Sequence, residues 1–288
     1  MMQEPTPALE LSGVCRSFGD FSLQDVSFTL PTGCILGMIG ENGAGKSTTI
    51  RLILGALHRD AGTLRVLGED PAAPAFAARK EDLGVVLDEP CFPEPLTARQ
   101  IGRILSAAYT HWDPEVFENY LRRFDVPEGK PFKDLSRGMT RKLSIAAALS
   151  HQPRLLVLDE PTAGLDPLVR DEILSVFEEF TRDPDHSILI SSHITSDLEK
   201  LCDYVVFLHK GQLRFFAEKD RLLEEYGIVS CTQDQRADLP EDAVMGMEQG
   251  KYGVQVLVRR DAVSPVFAPE RPSLEDIILL LSKGEKSL

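Results

Sequence analysis

Gly40-Glu41-Asn42-Gly43-Ala44-Gly45-Lys46-Ser47 is the stretch on which the reading of the fold turns. It fits the pattern G-x-x-x-x-G-K-[ST]. Its surroundings fit too. Residues 34–39 form a short apolar run, read as a strand entering the loop, and 47–57 have the apolar spacing of a helix leaving it. Glycines let successive backbone N–H groups curl around a phosphate, and the helix start adds partial positive charge. In such a loop the lysine, Lys46, reaches the outer phosphates, and the hydroxyl of Ser47 binds Mg²⁺.

Further along, Leu155-Leu156-Val157-Leu158 reads as a buried parallel strand, and Asp159-Glu160 stand at its end. Ligands of open α/β sheets bind at that edge. There Asp159 is expected to hold Mg²⁺ through water, and Glu160 to act as the general base on an attacking water. Val85-Val86-Leu87-Asp88-Glu89-Pro90 repeats the Leu-Asp-Glu-Pro string. The downstream residues distinguish the two copies: Pro161 leads into Thr162-Ala163-Gly164-Leu165-Asp166-Pro167, an N-cap with a first-turn proline, whereas Pro90 leads into a loop, Cys91-Phe92-Pro93. A third string, Leu135-Ser136-Arg137-Gly138-Met139, places a capping serine before a helix.

The order of these strings, completed by Ser192-His193, resembles the ATP-binding cassette of ABC transporters, over roughly residues 9–213. The resemblance implies an α/β fold: a P-loop NTPase cassette with a mixed core sheet, an antiparallel β-subdomain and an α-helical subdomain, followed by a small C-terminal α+β appendage. The Leu-Ser-x-Gly-Met variant, Trp112-Asp113 and the tail segment Pro272-Ser273-Leu274-Glu275-Asp276-Ile277 are similar to bacterial drug-, bacitracin- and acetoin-type exporter cassettes. By resemblance Phe18 stacks on adenine, and Asn42, Gly43, Ala44, Gly45, Lys46, Ser47 and Thr48 wrap the phosphates. Ser136 and Gly138 close on the nucleotide of the opposite subunit, Asp166 crosses the dimer interface, and His193 contacts the γ-phosphate. Two departures stand out. Asp88 replaces the family's usual glutamine, where a carboxylate can also ligate Mg²⁺. Arg137 and Met139 replace the usual Gly and Gln of the signature.

Composition bounds the rest. The chain has 288 residues, roughly two domains by length or one with an appendix. We divide it into a cassette, 8–215, with a helical subdomain at about 89–150, and a C-terminal accessory region, 216–288. Within these, 9–30 reads as two or three antiparallel strands, 60–86 as short strands and turns, and 213–226 as a connecting helix. Ser273 and Asp276 read as a capping box for a last helix.

The net charge of −14 opposes nucleic acid and anionic lipid as general partners. No apolar run reaches the roughly 18–20 residues of a membrane span, and residues 1–8 lack the pattern of a signal peptide. Five scattered cysteines show no metal or redox spacing. The expected function is therefore an ATP-hydrolysing subunit, pairing as a homodimer or heterodimer around two Mg-ATP and driving a separate transmembrane permease from the cytoplasmic face of the cell membrane. The alternatives are a non-transport ABC ATPase and an ATP-binding regulatory module. The first is opposed by the acidic charge and by the spacing of only about ninety residues between Lys46 and Ser136, with no heptad run.

Overall fold

The computed structural model describes residues 6–89, 92–250 and 253–283. Pro90, Cys91 and most of the segment read for a leader lie outside the described residues.

The main sheet is built from β1 (Leu9–Phe18), β2 (Phe21–Leu30), β3 (Ile35–Ile39), β4 (Ala61–Val66), β5 (Leu83–Val86), β6 (Leu155–Asp159), β7 (Ser187–Ser192), β8 (Tyr204–His209) and β9 (Gln212–Glu218). Their spatial order is β4-β1-β2-β9-β8-β3-β7-β6-β5. The strands from β8 through β3, β7 and β6 to β5 run parallel, while β4, β1 and β2 pair antiparallel. Every residue of β3, β6 and β7 is buried. That is why these strands read as continuous Ile/Leu/Val runs rather than alternating ones. Register fixes the site: Ile39 pairs with Ser192, and Asp159 with Ser191. Residues 40, 160 and 193 therefore leave the sheet side by side.

Helices cover both faces of the sheet. One apolar cluster joins α1 (Lys46–Ile53) to β1 and β2, a second gathers the helical arm and the helices that follow β6 and β7, and a third lies in the C-terminal part. α1 is shorter than the apolar spacing of 47–57 suggests, because the chain turns at Gly55. The stretch 60–86 holds β4, one turn of α2 (Phe76–Arg79) and β5. The helical arm is α3 (Ala98–Ala108), α4 (Pro114–Arg123) and α5 (Arg137–Leu149). Asp113 caps α4 ahead of Pro114, as its side chain and the proline predict, and Phe117 and Leu121 bury its inner face. α5 is buried from Arg141 to Leu149, since it passes beneath the sheet edge at β5. α6 (Pro167–Phe180) and α7 (Thr195–Leu201) come after β6 and β7.

The expected connecting helix over 213–226 is corrected by the structure. Residues 212–218 are β9, and the helix is only α8 (Lys219–Glu225). Lys210 and Gly211 both have left-handed backbone, φ 49° and 78°. That is the two-residue turn that matches the twist of a hairpin. It folds β9 antiparallel onto β8. Gly211 also approaches β2: its carbonyl accepts from Gln24 N–H at 2.8 Å. β9 thereby joins the antiparallel layer to the core sheet.

The C-terminal part holds β10 (Tyr226–Cys231), the single turn α9 (Gln233–Arg236), β11 (Val244–Gln249) and β12 (Val254–Arg259), and ends in α10 (Leu274–Lys283). The three strands form an antiparallel sheet in the order β10-β12-β11. The capping box before α10 is present: Ser273 Oγ accepts from Asp276 N–H, and Asp276 Oδ2 accepts from Ser273 N–H. Ile277, Leu280 and Leu281 are fully buried as α10 packs on β11 and α7. Among the described residues no helix is long and apolar enough to cross a membrane, and Cys15, Cys34, Cys202 and Cys231 are free thiols.

Candidate nucleotide site

The loop from Gly40 to Thr48 leaves β3 and enters α1 through Gly45, whose φ of 113° only glycine adopts readily. No side chain caps α1. The N–H groups of its first turn are thus left for a ligand, and an anion suits that end of the helix dipole. Glu41, Asn42, Gly43 and residues 45–48 wall a cavity of about 380 Å³, closed by Phe21, Asp88, Asp159 and Glu160. Ala44 is buried at the base of the loop, its N–H donating to the Glu41 carbonyl.

Three ionisable side chains meet here. Lys46, 6% exposed, donates from Nζ to the Gly40 carbonyl at 2.6 Å and lies 3.4 Å from Glu160 Oε1. The Lys46–Glu160 approach is an ion pair without hydrogen-bond geometry, so Oε1 is buried with no hydrogen-bond donor. Glu160 Oε2 lies 2.7 Å from His193 Nδ1. With a carboxylate as acceptor, Nδ1 carries the proton. The Glu160 backbone is left-handed, φ 49°, and its N–H is caught by the Ser191 carbonyl and hydroxyl, both at 3.1 Å. A strained conformation held by its neighbours is characteristic of functional positions.

The donors present fit Mg²⁺. Mg²⁺ is usually held by one or two carboxylates together with substrate phosphates rather than by an all-protein cage. Among the described residues no three His, Cys, Asp or Glu side chains form such a cage. Ser47, Asp159 and Asp88 instead face one cavity. Asp159, 6% exposed, is oriented by the Ser191 hydroxyl, which donates to Oδ1. Asp88 is tied to Arg141, 3.2 Å away.

The remaining sequence-derived residues lie outside this cavity within the chain. Ser136 caps α5, accepting from Met139 N–H at 3.3 Å. Asp166 caps α6, accepting from Val169 N–H at 3.1 Å. The two caps are neighbours: a β-carbon on Gly138 would lie 3.9 Å from both Leu165 and Val169. Phe18 stands 37% exposed at the tip of β1, with the Arg16 guanidinium 4.6 Å from its ring centre. Phe21, Ser191 and Arg141 are site residues that sequence reasoning missed. Phe21 reads as one more apolar position of an alternating strand. Ser191 carries a signal, its place beside the Ser192-His193 string.

Comparison with known proteins agrees with this geometry. The family profile described as ABC transporter matches residues 23–163. The ABC transporter ATP-binding protein YtrB of Bacillus subtilis (strain 168) is 33% identical over 221 residues, covering 77% of this chain and 75% of that protein. The Nod factor export ATP-binding protein I of Rhizobium sp. (strain N33) is 36% identical, covering 96% and 98%. A solved ATP-binding subunit of an ABC transporter shares 29% identity with a TM-score of 0.68, over 76% of this chain and 92% of that one. Loop and strand-end carboxylates thus converge with the relatives on one conclusion: this chain belongs to the ABC transporter ATP-binding proteins, and it is an ATPase.

Proposed function

We propose that this chain powers a bacterial exporter, with Glu160 as the general base for the water that attacks ATP. The observation that carries the reading is the line Lys46–Glu160–His193, 3.4 and 2.7 Å apart, at the mouth of the phosphate cavity. Before nucleotide binds, Lys46 and His193 hold the carboxylate in place. The β- and γ-phosphates then take Lys46 from the Gly40 carbonyl, and Oε1 is left to accept a proton from water. His193 steadies Oε2 and meets the γ-phosphate. Ser47, Asp159 and Asp88 are the residues that would hold Mg²⁺, which when bound offsets phosphate charge.

Ser136, Gly138 and Asp166 stay outside the cavity of their own chain. That position supports a head-to-tail dimer in which each subunit's signature covers the other's ATP. Residues 8–215 act as the motor, and 216–288 as an accessory region resting on α7. Acting through a permease, the subunit works at the inner face of the membrane. The export direction is supported by the Nod factor export relative.

The test is Glu160→Gln. ATP turnover should fall by about a hundredfold or more, the span of a general base, while ATP binding persists and gel filtration shows an ATP-dependent dimer. Turnover at the wild-type rate would remove Glu160 from this role.

A further inference from the structure

The loop after β5 carries a carboxylate where the family's usual residue is glutamine, and the structure shows how that charge is met. Asp88 shares the cavity wall with Lys46, Ser47 and Asp159. Arg141, on the second turn of α5 and only 7% exposed, reaches across to it. Its Nη1 donates to the Leu87 carbonyl at 2.6 Å, and its Nη2 donates to the Asp88 carbonyl at 3.1 Å and to Asp88 Oδ1 at 3.2 Å. One guanidinium therefore grips both the backbone and the carboxylate of the loop, a use of the planar fork that lysine does not share. Among the described residues Asp88 is the one carboxylate within ion-pair distance of Arg141. Burial disfavours the guanidinium charge, and Asp88 counters that effect.

Arg141 belongs to the helix that Ser136 caps, so the grip links two parts of the machine. The loop lines the ATP cavity, and the helix start presents the signature. Left unpaired, Asp88, 54% exposed, would set a negative charge beside the negatively charged polyphosphate, a repulsion that solvent and salt partly screen.

We propose that Arg141 is a positioning residue that neutralises Asp88 and clamps residues 87–88 to α5, so that the cavity admits ATP despite the extra carboxylate and the signature helix moves with the loop. This rests on the ATPase reading above. Asp88 without Arg141 leaves an unmatched carboxylate on the cavity wall, whereas Arg141 without Asp88 keeps its bonds to the Leu87 and Asp88 carbonyls.

The experiment compares full-length wild type, R141Q, R141K, D88Q and D88Q/R141Q. A fluorescent ATP analogue is titrated in EDTA, kcat and KM are measured with saturating Mg²⁺, and thermal melts check folding. R141Q should weaken nucleotide binding in EDTA by about tenfold, the scale of one unpaired charge at a binding site. The loss should shrink as salt is raised. D88Q/R141Q should restore binding to within about threefold of wild type, because both charges are gone. R141K should bind ATP nearly as wild type but lose about threefold in kcat, since an ammonium cannot hold both carbonyls.

Unchanged ATP affinity in folded R141Q overturns the proposal. So does a double variant as weak as R141Q, which is the signature of a packing defect, and so does R141K indistinguishable from R141Q. If R141Q does not fold, D88Q alone decides: it keeps the guanidinium bonds to both carbonyls and should tighten ATP binding about threefold, and no tightening overturns the idea. A wild type that binds ATP without turning it over would fail the ATPase reading, while the EDTA titrations would still judge Arg141.

Discussion

His193 Nδ1 lies 2.7 Å from Glu160 Oε2, although 33 residues separate them in the chain. The contact exists because β6 and β7 are neighbours in a register that pairs Asp159 with Ser191. Both residues then leave the sheet at the same edge, and the His193 backbone N–H, 3.3 Å from the same oxygen, adds to the hold on it. His193→Ala should therefore cut kcat by roughly a hundredfold while ATP affinity stays within about threefold, the pattern of an interaction that matters in the transition state. Rapid-quench turnover beside equilibrium ATP binding checks it. Equal losses in both would make His193 a binding residue only.

Phe18 is exposed at a strand tip, so replacing it costs the fold little. Stacking of a base on an aromatic ring is worth about 1–3 kcal/mol. Phe18→Ala should weaken ATP by roughly tenfold, with a melting temperature within about 2 °C of wild type, as surface changes behave. Competition between ATP and an adenine-free polyphosphate separates stacking from phosphate binding: the polyphosphate should bind both proteins alike.

Gly211 joins β8 to β9. A β-carbon there would collide with the Ser22 carbonyl oxygen, and the backbone is left-handed as well. Gly211→Ala should cost more than about 2 kcal/mol in urea unfolding, combining backbone strain with overpacking. Wild-type stability in that variant would mean that β2 and β9 can part without loss.

His151 is buried at the end of α5, its Nε2 3.0 Å from the Leu83 carbonyl and its ring stacked on Tyr109 at 4.1 Å. Burial pushes its pKa below the ordinary 6.5. The unfolded chain then takes up this proton first as pH falls. The stability tied to the neutral ring is complete above 6.5 and is lost on acidification toward the lower folded value. His151→Gln should flatten the fall in stability between pH 7 and 5.5, by up to about 1.4 kcal/mol per pH unit. Urea unfolding of both proteins across that range reads the difference in slope.

The candidate site was legible wherever its proposed groups are contiguous in the chain. The phosphate loop needs its glycines, lysine and serine in one short turn, and Asp159-Glu160 need a strand end, so local strings sufficed. The buried strands showed themselves through Ile/Leu/Val runs, and the caps at Asp113 and Ser273 through their side chains. The misreading of 213–226 has a plain cause. Leu213, Phe215 and Phe216 fit either a strand or a helix over so short a span, and the decision fell to the Lys210-Gly211 turn.

What no linear reading supplied is proximity across the sheet. Strand order and register bring Lys46, Glu160 and His193 together from three separate segments. Burial of α5 beneath β5 sets Arg141 against Asp88, a pairing between residues 53 positions apart. Local strings specify which groups a phosphate site contains. Which of those groups touch, and which charges neutralise one another, depends on long-range packing, because pairing energies arise only after the sheet has brought distant ends to one edge.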